Sequence, residues 1–213
     1  MSKKPFELFK IITVGNSGVG KTSIIKRYIY NTFEDNTLST VGLDFLLKTI
    51  KLKNEKEIKL KLIDTGGQEK FRSLSKTYFR NAEGVLFVFA LNNEQSFIEI
   101  KDWIKMFQDA HNGNPNIPKF LVGNKCDLNE KNIKQNDIDD FAKDNNLKYV
   151  ETSAKDNILI TELFQEIGEI LYKDFVKSGK EHKSQKVENI EINEDKENKK
   201  KGCCNIKTEL AYG

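Results

Sequence analysis

Apolar residues in this chain gather into short β-branched and aromatic runs, separated by stretches in which they recur every three or four positions. The short runs at 8–14, 45–50, 58–63, 85–89, 120–122 and 148–150 predict strands. Helical spacing marks 23–29, 95–110 and 160–176. In the second helix Phe97, Ile98, Ile100, Trp103, Ile104 and Phe107 fall near one face, and in the third Leu163, Phe164, Ile167, Leu171 and Phe175 do so. These aromatic stripes predict core. The polar link Lys53-Asn54-Glu55-Lys56 reads as a hairpin turn between the second and third strands, whereas later strands alternate with helices and so should run parallel. The pattern predicts an α/β fold whose sheet is mostly parallel, with one antiparallel edge.

Beyond about residue 177 the periodicity gives way to Lys, Glu, Asn and Ser, too few apolar groups to offset chain entropy. Residues 1–177 are therefore expected to form one domain and 178–213 a disordered tail carrying Cys203-Cys204. The 213 residues carry a net charge of +3 with basic and acidic groups intermixed, which argues against nucleic acid as a partner. Neither a signal peptide nor an apolar run of spanning length is evident, so a cytoplasmic protein is expected. The three cysteines and two histidines have no spacing that suits zinc or a disulfide framework, and Cys126 reads as a small packing residue.

Candidate chemistry begins between the first strand and the first helix, at Gly15-Asn16-Ser17-Gly18-Val19-Gly20-Lys21-Thr22. This matches the phosphate-binding pattern GxxxxGK[ST] in its strand–loop–helix setting. Glycines let the loop wrap an anion, and the amides of Ser17, Gly18, Val19 and Gly20, with Ser23 at the helix start, converge where the dipole is favourable. Lys21 supplies charge to the β- and γ-oxygens and the Thr22 hydroxyl a Mg²⁺ ligand. Alone, the loop leaves ATPase, kinase and GTPase open.

Two further segments narrow the choice. In Asp64-Thr65-Gly66-Gly67-Gln68-Glu69, Asp64 can hold Mg²⁺ through water, the Gly67 amide can reach a γ-phosphate, and Gln68 can orient an attacking water as the catalytic residue. In Asn124-Lys125-Cys126-Asp127, Asp127 can accept from guanine N1–H and N2–H₂, donors that adenine lacks. Losing such a buried pair costs a recognition site about 10⁴–10⁵-fold. Asn124 should brace neighbouring loops and the Lys125 stem cover the base. Glu151-Thr152-Ser153-Ala154-Lys155 completes the base loop, with the Ala154 amide aimed at guanine O6 and Ser153 and Lys155 beside it.

With these segments in this order, residues 6–176 resemble the Ras superfamily of small GTPases. Within it the chain is most similar to the Rab family: Ser39-Thr40-Val41-Gly42-Leu43-Asp44-Phe45 is close to STIGVDF, Lys70-Phe71-Arg72-Ser73-Leu74 follows the DTxGQE segment, and Tyr78-Phe79-Arg80-Asn81-Ala82 echoes YYRGA. The resemblance implies a P-loop NTPase fold of six strands flanked by five helices, with Thr40 ligating Mg²⁺ and the γ-phosphate and Phe33 packing on guanine. It implies a monomeric GTP/GDP switch in vesicle trafficking, served by an exchange factor, a GTPase-activating protein, a dissociation inhibitor or escort protein, and effectors. Hydrolysis should be slow without the activating protein, whose arginine contributes about 10³–10⁵-fold. The alternative is a GTP-dependent interaction module with little hydrolysis.

The chain departs from the family pattern at several points. Ile63 stands where Rabs carry Trp, reducing the effector-facing aromatic patch to Phe45, Ile63 and Tyr78, and Gly66 replaces Ala beside the catalytic Gln. Ala90-Leu91-Asn92-Asn93 replaces an Asp-containing turn and should be structural. Resemblance implies prenylation of Cys203 and Cys204, and hence cycling to the cytosolic face of an intracellular membrane. Residues 205–213 extend further beyond the cysteines than Rabs usually do, and no CaaX box ends the sequence.

Overall fold

A computed structural model describes residues 7–35, 43–65, 79–111 and 116–179. Six strands, β1 (Glu7–Val14), β2 (Leu43–Lys51), β3 (Glu57–Thr65), β4 (Gly84–Ala90), β5 (Lys119–Asn124) and β6 (Lys148–Thr152), form one sheet in the order β2-β3-β1-β4-β5-β6. β2 lies antiparallel to β3 in unbroken register from Leu43↔Thr65 to Lys51↔Glu57, and the remaining pairs are parallel. The mostly parallel sheet with one antiparallel edge is thus as expected. The hairpin also forms: the Leu52 amide donates to Lys56 O at 2.8 Å, and Glu55 closes the turn with a φ of 65°.

Five helical segments are described: α1 (Lys21–Tyr30), α2 (Glu94–Ile98), α3 (Ile100–Ala110), α4 (Gln135–Asp144) and α5 (Ile160–Ser178). α1 and α5 cover one face of the sheet, where Ile24, Ile25 and Tyr28 meet Leu60, Val122, Phe164 and Ile167. α3 and α4 cover the other with Trp103, Phe107, Ile138 and Ala142 against Ile12, Phe87 and Leu121. β4, between these layers, is buried along its whole length, which is why it reads as a continuous apolar run.

The structure revises the helix reading at two places. The single stretch 95–110 is two segments that part at Glu99, where ψ is −5°. Asn93 caps α2 by accepting from the Ser96 amide at 3.1 Å, and the Ser96 hydroxyl returns to Asn93 O at 2.6 Å. That cap gives Asn92-Asn93 the structural role expected of this turn, while Ile98 points away from the core at 43% exposure. α4 escaped the periodicity because only Ile138, Phe141 and Ala142 carry its inner face among charged neighbours.

Candidate functional site

β1 lies between β3 and β4 in the sheet order, and in such open sheets ligands bind beyond the strands' carboxyl ends. Gly15 leaves β1 there, Asp64 is the next-to-last residue of β3, Asn124 ends β5, and Ser153 follows β6. The predicted phosphate and base segments are therefore brought to one edge of the fold.

The loop between β1 and α1 is shaped by close approach. A Cβ on Gly15 would lie 2.0 Å from the Val88 carbonyl oxygen, and one on Gly20 2.2 Å from Asn124 Nδ2. Both glycines have positive φ, at 143° and 99°. Lys21 then folds back over the loop, its Nζ donating to Gly15 O at 2.8 Å and Asn16 O at 2.7 Å. Burial pushes the Lys21 ammonium down to about 8, against an upward pull from the Asp64 carboxylate. The Thr22 hydroxyl donates to Asp64 Oδ2 at 2.6 Å, which joins two predicted metal-binding oxygens from α1 and β3. Among the described residues no cluster of three or more His, Cys, Asp or Glu offers a denser metal site. A hydroxyl and a carboxylate suit a hard cation that keeps most of its ligands from water and phosphate, the habit of Mg²⁺.

The base loops are held just as closely. The buried Asn124 donates from Nδ2 to Val19 O at 2.9 Å and accepts at Oδ1 from Thr152 Oγ1 at 3.3 Å and the Ala154 amide at 3.2 Å. It therefore ties the phosphate loop and the end of β6 to its own strand. The same contact gives the Ala154 amide an acceptor within the protein, so guanine O6 is not its sole possible partner. Ser153 Oγ donates to Asp127 Oδ1 at 2.6 Å and orients that carboxylate. Lys125 sits in the left-handed region with φ 68°, and its ammonium is pushed down by burial, with Asp127 opposing.

The chain matches the model of the Ras family over residues 10–173. It is 39% identical over 165 residues to Ras-related protein Rab-8A of Bos taurus, covering 77% of this chain and 78% of that protein. It is 34% identical over 206 residues to Ras-related protein Rab-10 of Caenorhabditis elegans, covering 96% and 100% respectively. The chain belongs to the Rab family of the Ras superfamily. As a Rab it is a small GTPase that hydrolyses GTP to GDP and works in vesicle trafficking.

Several predicted residues of this Rab lie outside the described ones: Thr40, Gly66, Gly67, Gln68, Tyr78 and the Cys203-Cys204 pair. Phe33 is half-buried, with the Arg27 guanidinium 5.9 Å from its ring centre. The reduced aromatic patch needs correction at Ile63, which is 2% exposed in the core beside Ile12 and Phe79 and offers a partner no surface. Phe45, its register partner across β2 and β3, is 48% exposed under the Lys61 ammonium. Sequence reasoning missed Arg27, which donates to Ala154 O, Lys155 O and Asn31 O, and it missed the side-chain link from Asn16 to Glu99 and Trp103. Both join residues far apart in the chain, and no local pattern announces them.

Proposed function

We propose that this Rab binds one guanine nucleotide with Mg²⁺ across this edge of the sheet and acts as a switch that senses the third phosphate. In this reading the amides of Ser17, Gly18, Val19, Gly20 and Ser23 and the Lys21 ammonium hold the phosphates. Thr22, Thr40 and Asp64 hold the metal, and Mg²⁺ when bound would neutralise charge developing on the phosphate oxygens. Asp127 reads the guanine N1–H and N2–H₂, Asn124 braces the loops, and the Lys125 stem and Phe33 cover the base. Ser153, Ala154 and Lys155 border O6. Gly67 contacts the γ-phosphate through its amide, and Gln68 orients the attacking water.

The observation that carries this reading is the Thr22–Asp64 contact of 2.6 Å beside a lysine whose ammonium is already buried at the loop carbonyls. A buried cation with a lowered proton affinity gains most when an anion arrives to share its site. The coarser partners follow from membership of the family: guanine nucleotide, regulators and effectors. Finer assignments belong to the proposal: an exchange factor, an activating protein, an escort protein or dissociation inhibitor, a monomeric state, a GTPase domain over 1–177, and a tail over 178–213 prenylated at Cys203 and Cys204.

The test pairs nucleotide selectivity with single turnover. The wild-type protein should bind GTP and GDP far more tightly than ATP. Gln68→Leu should slow hydrolysis of bound GTP while leaving nucleotide binding largely intact. An unchanged single-turnover rate would remove Gln68 from the mechanism, and tight ATP binding would remove Asp127 from base selection.

A further inference from the structure

We infer that Arg27, on the α1 helix that opens at the phosphate loop, is the positioning residue for the base-reading carboxylate Asp127 and sets how strictly this Rab selects guanine. The inference rests on the guanine-nucleotide reading above and extends it to a residue outside every motif.

The Arg27 guanidinium approaches the base loop from the α1 side. Nε donates to Ala154 O at 2.7 Å, Nη2 to Lys155 O at 2.8 Å, and Nη1 to Asn31 O, just past the end of its own helix, at 2.9 Å. The planar fork thus fixes two successive peptide carbonyls with a rigidity that a single donor lacks. The described chain contains no cis peptide bond, and in a trans peptide the N–H that follows a carbonyl points the opposite way. Drawing the Lys155 carbonyl toward α1 therefore turns the Asp156 amide away from it. That amide donates to Ser153 Oγ at 2.9 Å, and Ser153 Oγ donates in turn to Asp127 Oδ1 at 2.6 Å. A continuous chain of contacts runs from the guanidinium through one peptide group and one hydroxyl to the carboxylate that reads the base. By the same geometry the hold on Ala154 O directs the Lys155 amide away from α1.

Inosine diphosphate separates this role from a merely structural one, because it lacks the 2-amino group and so makes only one of the two contacts to Asp127. Dissociation constants for GDP and inosine diphosphate would be measured on the full-length wild-type protein, Arg27→Ala and Arg27→Lys, with ADP as the control ligand. The wild type should prefer GDP over inosine diphosphate, and Arg27→Ala should shrink that preference on the order of tenfold, the loss expected when a charged hydrogen bond loses its alignment. Arg27→Lys, keeping the charge and one donor, should restore part of it and covers the case in which the alanine variant folds poorly. If both nucleotides weaken equally, so that the ratio stays at its wild-type value in both variants, Arg27 is a packing residue and the inference fails. If the wild type itself does not prefer GDP over ADP, the guanine reading fails first.

Discussion

Asn124 uses both ends of its carboxamide, donating to the phosphate loop and accepting from the end of β6 and the loop that follows it. That explains why a residue predicted only to brace neighbouring loops is 2% exposed with no titratable group of its own. Cys126, two positions later, has the opposite character. Its thiol is half-buried, and desolvation first, then the Glu151 and Asp127 carboxylates, push its proton affinity above the ordinary value of 9.0. Because the thiolate is the nucleophile, the group should be almost wholly protonated at neutral pH, with reactivity that rises with pH as the thiolate forms. Peptide-mapped alkylation of Cys126 at pH 7.5 should therefore run slower than that of a free cysteine, and the gap should narrow above pH 9. Fast modification at neutral pH would contradict the raised proton affinity and the packing role together. The motif residues were legible at this scale because each must stand at a fixed offset from a strand end. Arg27 was not, since its partners lie 127 and 128 positions away and only the folded chain brings them together.

At the scale of elements, the break between α2 and α3 has a consequence for the phosphate loop. Glu99, at the break, accepts from Asn16 Nδ2 at 2.9 Å, and Trp103, one turn into α3, donates from Nε1 to Asn16 Oδ1 at 2.8 Å. The Asn16 carbonyl in turn receives Lys21 Nζ, so α3 reaches the ammonium proposed to hold the phosphates through a single intervening residue. Trp103→Phe keeps an aromatic ring in the core but removes the indole donor. A hydrogen bond of this kind is worth about 0.5–1.5 kcal/mol net, so nucleotide dissociation should speed up by roughly two- to tenfold. Release of a fluorescent GDP analogue measures this directly, and a rate within error of wild type would show that Asn16 is held well enough by Glu99 alone. Periodicity located α3 correctly because Ile100, Trp103, Ile104 and Phe107 are all buried. It could not show the break at Glu99, whose carboxylate accepts from Asn16 Nδ2 and Gln95 Nε2, because a hydrophobic pattern does not weigh polar groups.

For the whole molecule, strand direction could be anticipated because alternation of strands with helices forces parallel pairing, and a short polar link forces antiparallel pairing, whereas the strand order came only from the folded chain. Membrane attachment is a different matter, since it does not follow from the fold. No helix among the described residues is long and apolar enough to cross a bilayer. Cys203 and Cys204 are adjacent and follow Lys199-Lys200-Lys201, which would add attraction to an anionic leaflet. Each buried CH₂ contributes about 0.8 kcal/mol, and one chain alone binds only marginally, so two modified cysteines should anchor stably where one does not. The expected result is graded: full-length protein in the membrane fraction of its native cells, each single Cys→Ser variant divided between fractions, and the double variant in the cytosol. Intact-mass measurement on the purified wild type should show two isoprenoid additions. A double variant that partitions as the wild type does, or a wild-type mass without lipid, would mean that this Rab reaches membranes through a partner instead of through its own tail.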